Sequence, residues 1–569
     1  MSASSPSPGP AALAQALRSV RLAFVGALVL GAAVNVLMLT GPLFMLQVYD
    51  RVLASRSVPT LAVLFALTVG LFAFMGLFDL LRQRVMSRVG HALERKLGNP
   101  TFQIWILQGL SPRGASARPL ADLAAVRGAL SSPGFIALFD LPFVPLFVGV
   151  VFLFHLDLGL LTCAGIAVAV GLAVIGEATT RNAFAQAAVA EIKASRFAEQ
   201  SLRHAESILA MGMLGRVRDH WRAAAGAGGA VAQAGSERTE AIGAFSKAWR
   251  LLMQSAILGL GAYLAIYQEI TPGMIIAASI IAGRALAPID QVVGQWRMLV
   301  KARAAYRRLG EHLGRAETAE PRLELPAPRG QVSVRGLRKL APDSEKGQKR
   351  VILEGVSFDL KPGDGLGIIG PSTAGKSTLA RLLVGVWQPD AGSVRLDGAP
   401  FDQWDPDVIG RHIRYLPQHV ELLPGTIAEN IARFDPNASN ADIVEAAKLA
   451  GVHRLILGLP EGYATRIGYG PSLLSGGQVQ RIALARAVYG KPALVVLDEP
   501  NANLDADGDA ALRDAILALR KQETTVVVIA HRPSAIAAVD TILMLNGGRQ
   551  SDFGPKSEVL ARVARVVEA

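Results

Sequence analysis

The chain has 569 residues, beyond the size of one ordinary domain. Hydrophobic residues make up 51% and charged residues only 18%, which excludes a wholly water-soluble protein and points to a membrane part joined to a soluble part. The single cysteine, Cys163, excludes an intrachain disulfide, and the net charge of +12 asks whether nucleic acid or membrane topology explains it.

Residues 1–20 open with MSASSPSPGP, a flexible polar lead that lacks the basic start and the cleavage site of a signal peptide. Residues 21–310 read as a membrane domain. Apolar runs at Leu22–Val48, Val58–Leu81, Phe135–Phe154, Leu156–Ala178, Leu251–Tyr267 and Thr271–Val293 predict six spans in an all-α domain. Between spans two and three, and again between four and five, lie long, helix-favouring stretches rich in arginine, at 82–131 and 179–245. Basic loops mark the cytoplasmic side, so both termini and both long stretches sit inside, with Arg51 and Arg56 as minor exceptions outside. The basic excess is thus a topology signal, and without interleaved aromatics or a reading motif the sequence predicts no nucleic-acid partner. Asp140 and Arg284 fall inside spans three and six. Arg284 lies roughly 20 Å from the outer end of its helix at a rise of about 1.5 Å per residue. Two readings stand for each charge: a place facing the bundle interior or a polar path, or an interfacial side chain that snorkels to water. Pro142, Pro145 and Pro288 predict kinks.

Residues 311–330 are polar and rich in Pro, Gly and charge, and read as a linker. From 331 to 569 short β-rich runs alternate with helical ones, as in an α/β domain. GPSTAGKST, from Gly370 through Pro371, Ser372, Thr373, Ala374, Gly375, Lys376 and Ser377 to Thr378, fits the phosphate-binding P-loop between a strand and a helix. The glycines let backbone N–H groups approach phosphate, the helix N-terminus favours an anion, Lys376 reaches the β- and γ-phosphates and Ser377 ligates Mg²⁺. Gln418 follows in YLPQHVELLPGTIAENI, then LLSGGQVQRIALARA (473–487), LVVLDEP (494–500), Asn503-Leu504-Asp505 and TTVVVIAHR (524–532). Asp498 at the end of a buried strand suits Mg²⁺, Glu499 suits polarising the attacking water, His531 suits the γ-phosphate, and Gln418 suits sensing metal and phosphate. Each residue alone is a weak signal; in this order behind a P-loop, chance becomes a poor account of them.

These motifs resemble the ABC transporter ATPases, for which LSGGQ at 474–478 is a specific signature. The resemblance implies that Ser475, Gly476, Gly477 and Gln478 bind the γ-phosphate of ATP held on a partner's P-loop, with Asp505 in the adjoining D-loop, so that two ATP molecules lie in a head-to-tail pair. One membrane half and one ATPase per chain imply a homodimer or a pair with a similar chain. FMLQVYDRVLASRSVPTL (44–61), FDLPFVPLF (139–147), HAESILAMGMLGRVRDHW (204–221) and PGMIIAASIIAGRALAPID (272–290) are similar to type I secretion ATPase/permeases that export proteases, lipases and repeat-in-toxin proteins. That resemblance implies a multi-pass motor in the bacterial inner membrane with its ATPase domain in the cytoplasm. Its implied partners are a periplasmic adaptor, an outer-membrane channel and an unfolded polypeptide with an uncleaved C-terminal signal. With only a short lead before span one, the chain is expected to lack the peptidase-like domain of some relatives.

Two features depart from the wider pattern. Residues 340–350, LAPDSEKGQKR, hold no aromatic to stack on adenine, and Tyr469 takes the place where exporters often carry a Glu before the signature. Amphipathic segments at 117–126 and 205–213 are expected to dock on the ATPase. An exporter of lipids or drugs is the alternative reading, and an ATP-gated channel or scaffold a third, against which Glu499 and His531 speak.

Overall fold

The computed structural model describes residues 11–110, 118–317, 325–341, 350–468, 474–530 and 533–567. The chain divides into two compact units, Met1–Ala319 and Glu320–Ala569.

The first unit is helical: α1 (Ala11–Ser19), α2 (Arg21–Leu37), α3 (Thr40–Gln47), α4 (Leu53–Ser55), α5 (Val58–Gln108), α6 (Pro119–Leu130), α7 (Pro133–Asp140), α8 (Val144–Phe154), α9 (Leu156–Arg203), α10 (Ala205–Ala210), α11 (Leu214–Ile266), α12 (Pro272–Gly294) and α13 (Trp296–Glu317). Among the described residues, six stretches are long and apolar enough to cross a membrane: Arg21–Ser55, α5, Pro133–Phe154, α9, α11 and α12. The arginine-rich stretches continue the spans without a break, which makes α5, α9 and α11 51, 48 and 53 residues long. Alanine, arginine and glutamate, all good helix formers, carry the helix past the apolar window. Three helices begin on a Ser or Thr cap with Pro in the first turn. Ser57, Ser132 and Thr271 accept from the backbone N–H of Thr60, Phe135 and Met274. A short 3₁₀ turn, Leu141–Phe143, splits the third span at Pro142, whereas Pro288 stays inside an unbroken α12. A π turn at Val48–Val52 carries Asp50, which accepts from Thr271 Oγ1 at 2.5 Å and Gly273 N at 2.9 Å. Asp50 thus caps α12, where a carboxylate is favoured.

Asp140 neither snorkels nor lines an open path: it is buried, 8% exposed. Its Oδ1 accepts from Arg82 Nη1 at 2.6 Å and from Asn35 Nδ2 at 2.8 Å, while Arg82 Nη2 also donates to Asp79 at 2.8 Å. The cluster ties the first three spans together. Asp140→Ala would leave the Arg82 guanidinium buried against one remaining carboxylate. The expected cost is about 3–5 kcal/mol, read as earlier thermal unfolding in detergent, with partial recovery when Arg82→Leu is added. Unchanged melting in the single variant would show that the cluster does not hold the spans.

α13 runs to Glu317, into the stretch read as linker, because Ala305, Leu309 and Leu313 keep an apolar face buried with Leu93, Leu97, Leu123 and Val126. Arg308 donates to both oxygens of Asp122 at 3.0 and 2.5 Å, and Arg127 to both of Glu94 at 2.8 and 2.7 Å. The apolar face of α6 is therefore already spent against α5 and α13, and its outer face shows only Ala121, Ala124 and Gly128. The 205–213 segment differs, since Leu209, Met211 and Met213 are all exposed.

The second unit holds β1 (Val332–Leu340), β2 (Val351–Leu360), β3 (Gly365–Ile369), α14 (Lys376–Leu383), β4 (Ala391–Leu396), β5 (Ala399–Pro400), α15 (Pro406–Ile409), β6 (Ile413–Leu416), β7 (Gly425–Thr426), α16 (Ile427–Ile431), α17 (Asn440–Leu449), α18 (His453–Leu457), β8 (Arg466–Ile467), α19 (Gly476–Val488), β9 (Leu494–Asp498), α20 (Ala506–Lys521), β10 (Thr525–Ile529), α21 (Pro533–Ile536), β11 (Thr541–Asn546), β12 (Arg549–Pro555) and α22 (Lys556–Val567). One sheet runs β5-β4-β1-β2-β12-β11-β3-β10-β9-β6, and β7 pairs with β8. Strands β6, β9, β10, β3 and β11 are mutually parallel, and β1 pairs antiparallel with β2 and β4. The central strands β3, β9 and β10 are apolar apart from Asp498 at the end of β9 and Thr525 at the start of β10, because both faces are covered. Alternation splits them between two cores: Val495, Leu497, Val526 and Val528 face one way, Leu494, Val496, Val527 and Ile529 the other.

Candidate functional site

The site gathers at the carboxyl ends of β3, β6 and β9. β3 ends at Ile369, and the chain turns through Gly370 (φ 147°) and Gly375 (φ 92°) into α14. A Cβ on Gly370 would lie 2.1 Å from the Leu545 carbonyl oxygen, so only glycine fits. Between them Pro371, Ser372 and Thr373 are exposed and Ala374 is buried, while Ser377 and Thr378 sit half-buried in the first turn of α14. Lys376 is 6% exposed and donates to the carbonyls of Gly370 and Pro371, both at 2.9 Å. Burial pushes its pKa down, and the nearby Glu499 and Asp498 push back up.

Asp498, the last residue of β9, is 1% exposed, and Ser377 Oγ donates to its Oδ1 at 3.3 Å. Burial pushes its carboxyl above the ordinary range, Ser377 opposes that, and Glu499 adds to it. Glu499 has φ 51°, a left-handed conformation rare outside glycine, and its N–H donates to Ile529 O at 2.9 Å. The bend turns the Glu499 side chain toward Gln418, whose Nε2 donates to Glu499 Oε2 at 3.1 Å. Lys376, Ser377, Gln418, Asp498 and Glu499 are thus brought together around the P-loop. His531, Tyr469 and residues 342–349 lie outside the described residues.

The LSGGQ stretch opens α19. Ser475 Oγ accepts from Gln478 N and Gln478 Oε1 accepts from Ser475 N at 2.9 Å, a reciprocal capping box. Ser475 and Gly476 are exposed, and a Cβ on Gly477 would meet Asn503 O at 2.7 Å. Asp505 caps α20 through Gly508 N at 2.9 Å and pairs with Arg481. The Gly508 bond, reinforced by Arg481, holds its carboxyl below the usual range. Gln480, buried and donating to Pro500 O at 3.1 Å, fastens the signature helix to the loop after Glu499. Gln480 and Arg481 were not singled out from sequence; their spacing on α19, facing the loop after β9, is the signal that marks them.

Among the described residues no three His, Cys, Asp or Glu side chains form a metal cage. The hydroxyl of Ser377 and the carboxylate of Asp498, adjacent and both hard oxygen donors, suit Mg²⁺ that is also held by phosphates.

Comparisons with known proteins agree with this geometry. The ABC transporter family profile matches residues 353–502, and the ABC transporter transmembrane region profile matches residues 24–283. The chain is 45% identical over 554 residues to the type I secretion system ATP-binding protein PrsD of Rhizobium meliloti (strain 1021), covering 97% of this chain and 94% of that one. It is 28% identical to the toxin RTX-I translocation ATP-binding protein of Actinobacillus pleuropneumoniae, over 95% of this chain and 77% of that one. The fold is similar to that of a bacterial Atm1-family ABC exporter with ATP bound, at a TM-score of 0.81 and 26% identity, over 95% and 96% of the two chains. The chain belongs to the ABC transporters of type I secretion, multi-pass membrane proteins whose cytoplasmic ATPase domain hydrolyses ATP to drive transport.

Proposed function

We propose that the chain exports an unfolded polypeptide with an uncleaved C-terminal signal across the bacterial inner membrane. It acts as the motor of a conduit completed by a periplasmic adaptor and an outer-membrane channel. The observation that carries this reading is the similarity to PrsD along nearly the whole of both chains, membrane half included.

Two copies pair head to tail, each P-loop facing the other's LSGGQ. The exposed Ser475 and Gly476 at the N-terminus of α19 support this, since that helix end offers backbone N–H groups to a phosphate. Gly370 to Thr378 wrap the phosphates. Lys376 exchanges its two carbonyl contacts for phosphate oxygens as ATP enters. Ser377, Asp498 and Gln418 would hold Mg²⁺, which supplies charge neutralisation at the β- and γ-phosphates when bound. Glu499 accepts the proton of the attacking water, and the bond from Gln418 to its Oε2 orients the carboxylate for that task. His531 contacts the γ-phosphate, and Asp505 sets the loop beside the signature. The exposed apolar tip at Leu209, Met211 and Met213 carries closure of the ATPases to the spans.

ATP turnover by the purified full chain in lipid discs tests this reading. A reduced and alkylated, unfolded polypeptide is expected to change the rate, whereas an apolar drug or added phospholipid leaves it unaltered. The reverse pattern would transfer the chain to the small-molecule exporters.

The buried Asp498 also gives a prediction. Its pKa is raised on folding, so its charged form costs stability, and the nucleotide-free fold weakens as pH rises through the carboxylate range. Asp498→Asn is expected to melt higher than wild type at neutral pH without nucleotide while losing Mg²⁺-dependent turnover. An Asn variant that melts lower, or turns over normally, would contradict that account of the carboxylate.

A further inference from the structure

Among the described residues, other arginines in or beside the spans have carboxylate partners. Arg82 is held by Asp140 and Asp79, and Arg250 lies 2.8 Å from Asp290. Arg284 is different. It is exposed, and no hydrogen bond or ion pair joins it to any described residue. It stands twelve residues beyond Pro272 on α12, about 18 Å along the helix and so within a hydrocarbon core of about 30 Å.

α12 is the most enclosed span. Of its apolar window 56% is buried, against 6–28% in the other five, and it packs on α3, α7, α8, α9 and α11. What it leaves open is one stripe at helical spacing: Ile280, Gly283, Arg284, Ala287, Gln291 and Gly294. A lipid-facing stripe would be apolar. This one carries a guanidinium, an amide and two glycines, and a lone cation at such depth faces a protein-lined or water-filled space. The one carboxylate on this face, half-buried Asp290, is already engaged. It is turned away to Arg250 and to Ser246, whose hydroxyl donates to it at 2.6 Å.

We propose that the α12 stripe lines the path of the exported polypeptide and that Arg284 makes the path favour acidic segments. This rests on the export reading above. In a pair of copies each chain contributes one such cation, and the small residues beside it leave room for an extended backbone. An extended acidic segment compensates the guanidinium as it passes, which a basic one cannot do.

The test uses the full chain in lipid discs, with unstructured poly-glutamate and poly-lysine of equal length as probes of ATP turnover. In wild type, poly-glutamate is expected to act at about fivefold lower concentration than poly-lysine at low salt, and the gap should narrow as salt is raised. Arg284→Ala and Arg284→Gln should close the gap and Arg284→Lys should keep it, all three with wild-type turnover in the absence of peptide. Equal action of the two peptides on wild type, or a gap that survives Arg284→Ala and Arg284→Gln, overturns the inference and leaves polypeptide export standing. If neither homopolymer alters turnover while the reduced and alkylated polypeptide does, the inference is overturned and export stands; if that polypeptide also leaves turnover unaltered, the export reading fails and the inference falls with it.

Discussion

Glu499→Gln is expected to keep ATP binding and to lower turnover by about a hundredfold or more, the usual share of a positioned general base. The geometry explains why binding survives. Lys376 is held by the carbonyls of Gly370 and Pro371, and the contact that Glu499 accepts from Gln418 is one an amide oxygen also accepts. The left-handed backbone at Glu499 is fixed by its N–H to Ile529 and is unaltered by the change, so the variant keeps the bend and loses only the proton acceptor. Single-turnover and steady-state hydrolysis, with nucleotide binding measured in parallel, check this. Wild-type turnover in the variant would remove Glu499 from its role.

Lys376→Ala should act on the other side of the ledger, weakening Mg-ATP binding by roughly 10- to 100-fold, the range for loss of a charge-assisted contact. The side chain has two tasks. It presents the cation to phosphate, and without nucleotide it holds the carbonyls of Gly370 and Pro371, so its loss also loosens the loop. Lys376→Arg keeps the charge but brings a planar fork into a space fitted to an ammonium 6% exposed, and should not restore full affinity. Unchanged affinity and turnover in Lys376→Ala would contradict the placement of phosphate in this loop.

Much of the site was legible because its signals are local. The P-loop lies between a strand and a helix, LVVLD is itself a strand, and the LSGGQ turn opens a helix, each within a few residues. The capping box between Ser475 and Gln478 was also readable, since S-x-x-Q at a helix start is its signature. The pairings across the chain were not. Arg82 and Asp140 are 58 residues apart, and no periodicity tells a buried acid which base will meet it. For the same reason two readings of Asp140 stood open until the partner was seen. The 117–126 segment was expected to dock through an apolar face, but a sequence pattern does not name the surface that covers such a face; for α6, α5 and α13 do. The linker prediction took Gly and charge at 311–317 as a break, whereas Leu309 and Leu313 had enough core to hold α13 through that stretch.

The most direct test of the whole account is mass spectrometry of the culture medium from cells carrying the wild-type chain or Glu499→Gln. The account predicts that one or a few proteins vanish from the medium in the variant and accumulate inside the cells, which would also identify the cargo. A medium unchanged in its proteins, with lipid or drug efflux shifted instead, would contradict polypeptide export.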